Sequence, residues 1–332
     1  MESLETRKKD HIDLAFKSQT GQLQIDTRFH YEPMLAAHPA NGLPSVSFLG
    51  KELRAPLWVS SMTGGTKMAG TINRNLATAC KEFGMGMGLG SCRIIINDDT
   101  YLDDFNMRPY IGYDFPLWAN LGIAQIEELI AEDRVDLATN LVKKLEADGL
   151  IIHVNPMQEW FQPEGDILVR PPLDSIKRFM DIARIPVIVK EVGQGIGPES
   201  IKELLSLPLE ALEFAAFGGT NFARVELLRD EKADVQMLEP LSYVGEDADS
   251  MVEYVNNYTH DSEPACKSII ISGGIKNYLD GYYLLQRSEM PAIYGMASTF
   301  LEHAREDYEQ LQKFVRGQIK GLEMAFAYLR IK

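Results

Sequence analysis

His153, Asn155, Gln158, Glu159, Glu164 and Asp166 stand close together in the chain, directly after the apolar run Gly149-Leu150-Ile151-Ile152. The apolar run reads as a buried strand, and Pro156 and Pro163 break regular structure just beyond it, so polar chemistry gathers at a strand's end. Imidazole and amide groups offer hydrogen bonds to a phosphate. A glutamate can supply one oxygen to Mg²⁺ when water and phosphates fill its other positions. The group therefore suits a phosphorylated ligand held together with a metal. A surface loop with an ordinary histidine would explain any one of these residues alone, so the assignment depends on what the rest of the chain places around them.

Other apolar runs recur from residue 55 onward: 56–62, 85–91, 116–120, 186–192, 211–215, 268–272 and 292–297. With the run before His153 they make eight short strands. Helical spacing follows several of them, over Thr71–Phe83 with Gly84 at its close, Ile123–Leu129, Asp136–Asp148 and about 198–205. Eight such units predict an α/β protein, a closed parallel (β/α)₈ TIM barrel. Residues 1–50, Pro-containing and without a repeat, read as an N-terminal arm packed on the barrel, which occupies 51–332. Residues 224–262 read as a long insertion between strands six and seven, and 299–332 as a long amphipathic helical tail.

Barrels of this kind carry their sites at the C-terminal ends of the strands. There the chain puts Met62-Thr63-Gly64-Gly65, Ser91-Cys92-Arg93, Asn120, the His153 group, Lys190, Thr220, Gly273-Gly274 and Ala297-Ser298. A Gly-Gly pair after a strand is usually a tight turn and nothing more. Placed jointly after strands seven and eight, with a lysine from strand five, these residues suggest a phosphate grip for flavin mononucleotide, whose redox state Lys190 could tune electrostatically.

Composition narrows the partners. The 332 residues are 45% hydrophobic, and 33 Lys plus Arg against 48 Asp plus Glu leave a net charge of −15. That balance argues against nucleic acid or an anionic membrane surface as partner, so an anionic substrate needs a local basic pocket. Cys80, Cys92 and Cys266 are widely spaced and odd in number, which fits reduced cytoplasmic thiols better than a disulfide framework or a paired-cysteine zinc site. The charged beginning, Glu5 to Asp10, has no apolar core of the signal-peptide kind. No apolar run approaches the roughly 20 residues that span a bilayer.

Taken in order, Arg7-Lys8-Lys9-Asp10-His11, Met62-Thr63-Gly64-Gly65, His153-Val154-Asn155-Pro156-Met157-Gln158-Glu159, Pro163-Glu164-Gly165-Asp166, Lys190-Glu191-Val192-Gly193, Gly218-Gly219-Thr220-Asn221-Phe222 and Ser272-Gly273-Gly274 resemble type 2 isopentenyl-diphosphate Δ-isomerase. The resemblance implies an isoprenoid-pathway enzyme that interconverts isopentenyl and dimethylallyl diphosphate. It would use reduced FMN and Mg²⁺, with NADPH or another reductant keeping the flavin reduced. It implies substrate contacts from Arg7, Lys8, Ser91, Arg93, His153, Asn155 and Gln158. Gln158 would face the alkene, and Glu159 would bind the metal. Met62, Thr63, Gly64, Ser91, Asn120, Lys190, Thr220, Gly273, Gly274, Ala297 and Ser298 would surround the flavin. A homo-oligomer, tetramer or octamer, is also implied. Cys92 stands where the family has a glutamine that contacts substrate, and Ser298 where it has a glycine.

The isomerisation moves a proton onto one alkene carbon and removes another two carbons away, through a cation-like state and without net electron transfer. It therefore needs an acid, a base and an electron-rich neighbour. Two other functions use similar parts: an FMN-dependent oxidoreductase of the hydroxy-acid oxidase type, and a non-catalytic flavin- or diphosphate-binding relative. Anaerobic substrate would reduce the flavin in the first, and neither redox change nor solvent exchange would occur in the second.

Overall fold

The computed structural model describes residues 4–61, 65–230 and 235–332. Eight parallel strands close into a barrel in chain order: β1 (Leu57–Val59), β2 (Gly86–Gly88), β3 (Leu117–Gly122), β4 (Gly149–His153), β5 (Val187–Lys190), β6 (Ala211–Glu213), β7 (Ile269–Ser272) and β8 (Ala292–Met296), with β8 pairing back to β1. The (β/α)₈ expectation holds. Strands buried on both sides explain why the runs are continuously apolar rather than alternating.

The glycine-rich second strand has a packing cause. Trp58 of β1 pairs in register with Gly86 of β2, and Trp118 of β3 with Gly149 of β4. A Cβ on Gly86 would lie 2.5 Å from the Trp58 ring, and one on Gly149 would lie 2.4 Å from the Trp118 ring. Each indole thus fills the space that its neighbour's missing side chain leaves, keeping the barrel interior dense. Both indole N–H groups lack a partner among the described residues, and nothing in the structure explains why.

The helix after β1 begins at Lys67, four residues before the expected start, because the Thr66 hydroxyl caps it by accepting from the Ala69 N–H at 3.2 Å. Gly84, in the left-handed conformation, ends it as expected. A helix over Pro172–Ala183, between β4 and β5, was not anticipated; it starts on a proline, which is tolerated in a helix's first turn. Within the insertion between β6 and β7 lie helices Phe222–Arg229, Val235–Ser242 and Ala248–Asp261. The last packs against helix Pro198–Leu205 and so belongs to the barrel's outer ring.

The C-terminal tail departs from one long helix. It forms Ser298–Ala304, then Tyr308–Tyr328, and its last residues, Leu329–Ile331, pair antiparallel with Phe29–Tyr31. The N-terminal segment also makes a hairpin, Val46–Phe48 with Lys51–Leu53, whose turn holds Leu49 and Gly50 at positive φ. The boundary drawn at residue 50 thus falls in that turn. Lys51 then reaches Asp148 at 2.8 Å, at the start of β4, so the hairpin ties to the N-terminal face. The helix Leu4–Ala15, by contrast, has no buried residue, so only the later part of the expected arm is packed.

Candidate active site

At the C-terminal face, β4 ends in His153 and β5 in Lys190, and these two are register partners. Asn120 on β3 fixes the imidazole. Its Nδ2 donates to the Leu89 carbonyl at 3.0 Å, which turns Oδ1 toward His153 Nδ1 at 2.7 Å. The carbonyl sets the amide's orientation, and the amide in turn sets the tautomer: Nδ1 carries the proton, and Nε2 is left as the variable position.

Burial, and then the Lys190 charge, push the His153 pKa down to about 3. The residue is only partly buried by its surface exposure, but both causes act in the same direction, and the ring is neutral at pH 7. Since the folded value lies below the ordinary one of about 6.5, the unfolded chain takes up the extra proton first, and stability is lost as pH falls from about 6.5 toward 3. Urea unfolding should therefore show a steeper loss of stability between pH 7 and 4 in the wild type than in His153→Gln; parallel pH profiles would refute the assignment.

Beyond β4, the short helix Pro156–Phe161 starts at Asn155. Asn155 is buried, and its Nδ2 donates to Gln158 Oε1 at 3.1 Å and Glu159 Oε1 at 2.9 Å. Its Oδ1 has no partner among the described residues. Asn155 thus orients its two neighbours, and a phosphate contact through Nδ2 would require the amide to turn. Glu159 Oε2 accepts from the Asp166 N–H at 2.9 Å, and Asp166 in turn pairs with Arg93 at 3.0 Å.

Gln158 reaches further. Its Nε2 donates to Glu226 Oε1 at 3.2 Å, and Glu226, on helix Phe222–Arg229, is only 6% exposed. Arg229 Nε lies 2.8 Å from the other oxygen but off the line of a hydrogen bond, so that contact is one of charge alone. Sequence reasoning missed Glu226, because a glutamate on a charged helix reads as solvent-facing.

The flavin candidates from β5 to β8 come together. Lys190, Thr220, Gly273, Gly274, Ala297 and Ser298 line one cavity of about 240 Å³. Glu213, another residue not anticipated, lines it too. Lys190 is 5% exposed and donates to the Glu191 carbonyl at 2.6 Å. Glu191 shapes the following loop, one of its oxygens accepting from the N–H groups of Gly193, Gln194 and Gly195 at 2.6, 2.6 and 3.0 Å. Burial raises the Glu191 pKa, and those donors oppose the shift.

Other candidates stand apart. Arg7 and Lys8 lie on the helix that has no buried residue, and Ser91 is exposed. Cys92 is buried with its thiol toward the Gly90 carbonyl at 3.3 Å, and burial raises its pKa to about 12, so it supplies neither a substrate contact nor a thiolate. Cys80 and Cys266 are likewise free and buried. Met62, Thr63 and Gly64 lie outside the described residues. A larger cleft of about 600 Å³, on the outer side of β4 and β5, contains none of the anticipated residues.

No family model matches the chain. An isopentenyl-diphosphate delta-isomerase of Rickettsia felis is 32% identical over 329 residues, covering 96% of this chain and 90% of the relative. One from Nostoc sp. is 34% identical over 317 residues, covering 93% and 87%. The chain belongs to the isopentenyl-diphosphate delta-isomerase family. Its barrel and strand-end motifs are those expected of a type 2 isomerase. A Cronobacter sakazakii isomerase, 34% identical over 324 residues with 93% and 91% covered, extends the same likeness. Among solved structures, a flavocytochrome b2 variant with sulfite bound matches with TM-score 0.61 at 14% identity, over 95% of this chain and 77% of that one. A mandelate oxidase variant with an FMN monooxide adduct matches with TM-score 0.57 at 13% identity, over 99% of each. At such identity the likeness shows this isomerase-family chain to share their barrel, and no more. Among the described residues no helix is long and apolar enough to cross a membrane.

Proposed function

We propose that this protein interconverts isopentenyl and dimethylallyl diphosphate, with reduced FMN in the β5–β8 cavity and Mg²⁺ at Glu159. The observation that carries this reading is the contact between Gln158, an amide that cannot titrate, and Glu226, a buried carboxyl, just beyond the end of β4. Gln158 would lie under the alkene and pass hydrogen-bonding influence from Glu226. His153 would meet the diphosphate only by taking up a proton at Nε2, which the diphosphate's charge would favour against the burial that keeps the ring neutral without it.

The cavity suits a flavin on its own evidence. Ser60 Oγ, Ser61 Oγ and Glu213 Oε2 are buried without partners among the described residues, and all three residues line it. Gly218, Gly273 and Gly274 let backbone approach a phosphate there. When bound, reduced flavin supplies a proton at N5 and an electron-rich ring. Lys190 would hold the flavin's polar edge, with Thr220, Gly273, Gly274, Ala297 and Ser298 toward its phosphate end and Asn120 and Ser91 on the opposite side. Glu159 fits Mg²⁺ as a single carboxylate whose partners are diphosphate and water. No group of three or more His, Cys, Asp or Glu suited to a metal occurs among the described residues. NADPH would serve only to keep the flavin reduced.

Arg7 and Lys8 would reach the diphosphate if the helix Leu4–Ala15 settled over the strand ends on binding. Ile12 and Phe16, 69% and 81% exposed, support a covering partner for this segment and with it a homo-oligomer. The deciding test is incorporation of deuterium from solvent into isopentenyl diphosphate by protein loaded with FMN, reduced anaerobically, with Mg²⁺ present. We expect exchange with no net flavin oxidation. Tight flavin binding without exchange would show a binding protein instead, and substrate-driven reduction of oxidised flavin would show an oxidoreductase.

A further inference from the structure

Glu213 ends β6, between Lys190 on β5 and Ser272 on β7, and its side chain has no exposure to solvent. One of its oxygens accepts from Ser272 Oγ at 3.2 Å, and that hydroxyl also accepts from the Ala215 N–H at 3.0 Å, so this half is tied into the wall. The other oxygen, Oε2, finds no partner among the described residues. A buried carboxylate oxygen is an acceptor only, and leaving it bare is costly. Lys190 lines the same cavity and gives one of its three ammonium donors to the Glu191 carbonyl, and no ion pair joins it to Glu213. A bound molecule that brings a donor to β6 would satisfy Oε2, which faces the cavity without a partner among the described residues. With Lys190 supplying positive charge next door, that donor is best uncharged, which makes it a hydroxyl rather than an ammonium.

The geometry points to Glu213 as a specificity-determining residue that accepts a hydrogen bond from a hydroxyl of the flavin's ribityl chain. The inference rests on the flavin reading of the cavity. A flavin with its phosphate at Gly273 and Gly274 and its ring toward Lys190 must run its polyol past the strand that lies between β7 and β5, which is β6. The site would then select a flavin with its sugar-alcohol chain intact over one lacking the hydroxyl in question.

The test is binding, read by flavin fluorescence quenching on the full chain freed of flavin. FMN is compared with its 2′-, 3′- and 4′-deoxy analogues on wild type, Glu213→Met and Glu213→Gln. On wild type, one deoxy analogue should bind roughly 10- to 100-fold more weakly than FMN, as expected for losing a hydrogen bond to a charged group. That penalty should vanish in Glu213→Met and shrink in Glu213→Gln, which keeps a neutral acceptor. Equal binding of every analogue to wild type overturns the inference while leaving the flavin reading intact. A penalty of unchanged size in the variants assigns the hydroxyl to another residue and overturns it as well. If Glu213→Met does not fold, the Glu213→Gln comparison decides by itself. Wild-type protein that takes up no FMN at all would sink the flavin reading instead.

Discussion

Replacing Glu226 by glutamine is expected to lower kcat about 10²- to 10⁴-fold, the range for loss of a positioned general acid or base. It should leave KM and flavin affinity nearly unchanged. On the proposed reading Gln158 is the side chain that would face the substrate, and an amide neither gives up nor takes a proton in the accessible range. Any proton it relays must come from or go to a group it touches, and the contact at 3.2 Å to Glu226 Oε1 supplies that group. Glutamine at 226 keeps the size and one acceptor oxygen, so the orientation of Gln158 survives. What disappears is the ability to hold a proton, together with the charge contact to Arg229. That arginine is half exposed, so its contact contributes about 1 kcal/mol or less. Single-turnover isomerisation and deuterium exchange should fall together while thermal stability stays close to wild type. A variant with unchanged exchange would show that Gln158 works without Glu226.

Much of the scaffold was legible because parallel strands buried on both faces write themselves as short apolar runs, and the barrel puts polar residues where those runs end. Lys190, Thr220, Gly273, Gly274, Ala297 and Ser298 are far apart in sequence yet meet around one cavity for that reason. What stayed hidden depends on partners remote in the chain. The terminal strand Leu329–Ile331 exists because Phe29–Tyr31 lies beside it, and three residues after a long helix carry no period of their own. Glu213 looks like an interruption in an apolar strand, and its place in the cavity wall appears only once Lys190 and Ser272 stand on either side. Asn155 offers hydrogen bonds by its type, but that it also supports Gln158 and Glu159 appears only from its local bonds. The pairing of Trp58 with Gly86 is invisible until register is known.

Gly273→Ala is expected to destabilise the protein by about 4 kcal/mol or more, at the upper end for single substitutions, and to abolish flavin binding. Two costs combine at this position. The backbone has φ +88, which an L side chain adopts only with strain. In addition, a Cβ there would lie 2.1 Å from the Ala216 carbonyl oxygen and 2.2 Å from its nitrogen. Those are backbone atoms, and the Ala216 N–H is bonded to the Ser272 carbonyl at 2.7 Å, so the loop after β6 cannot retreat without breaking its tie to β7. The strand ends would have to part, and the cavity that Gly273 and Gly274 line would lose its shape. Gly317→Ala provides the contrast. It sits within the helix Tyr308–Tyr328 with nothing within 4 Å of its added Cβ, and should instead stabilise the protein by roughly 0.5–1 kcal/mol through the higher helix propensity of alanine. Urea midpoints for the two variants should move in opposite directions. A Gly273→Ala protein that folds normally and binds FMN would mean that the loops after β6 and β7 are far more yielding than their contacts indicate.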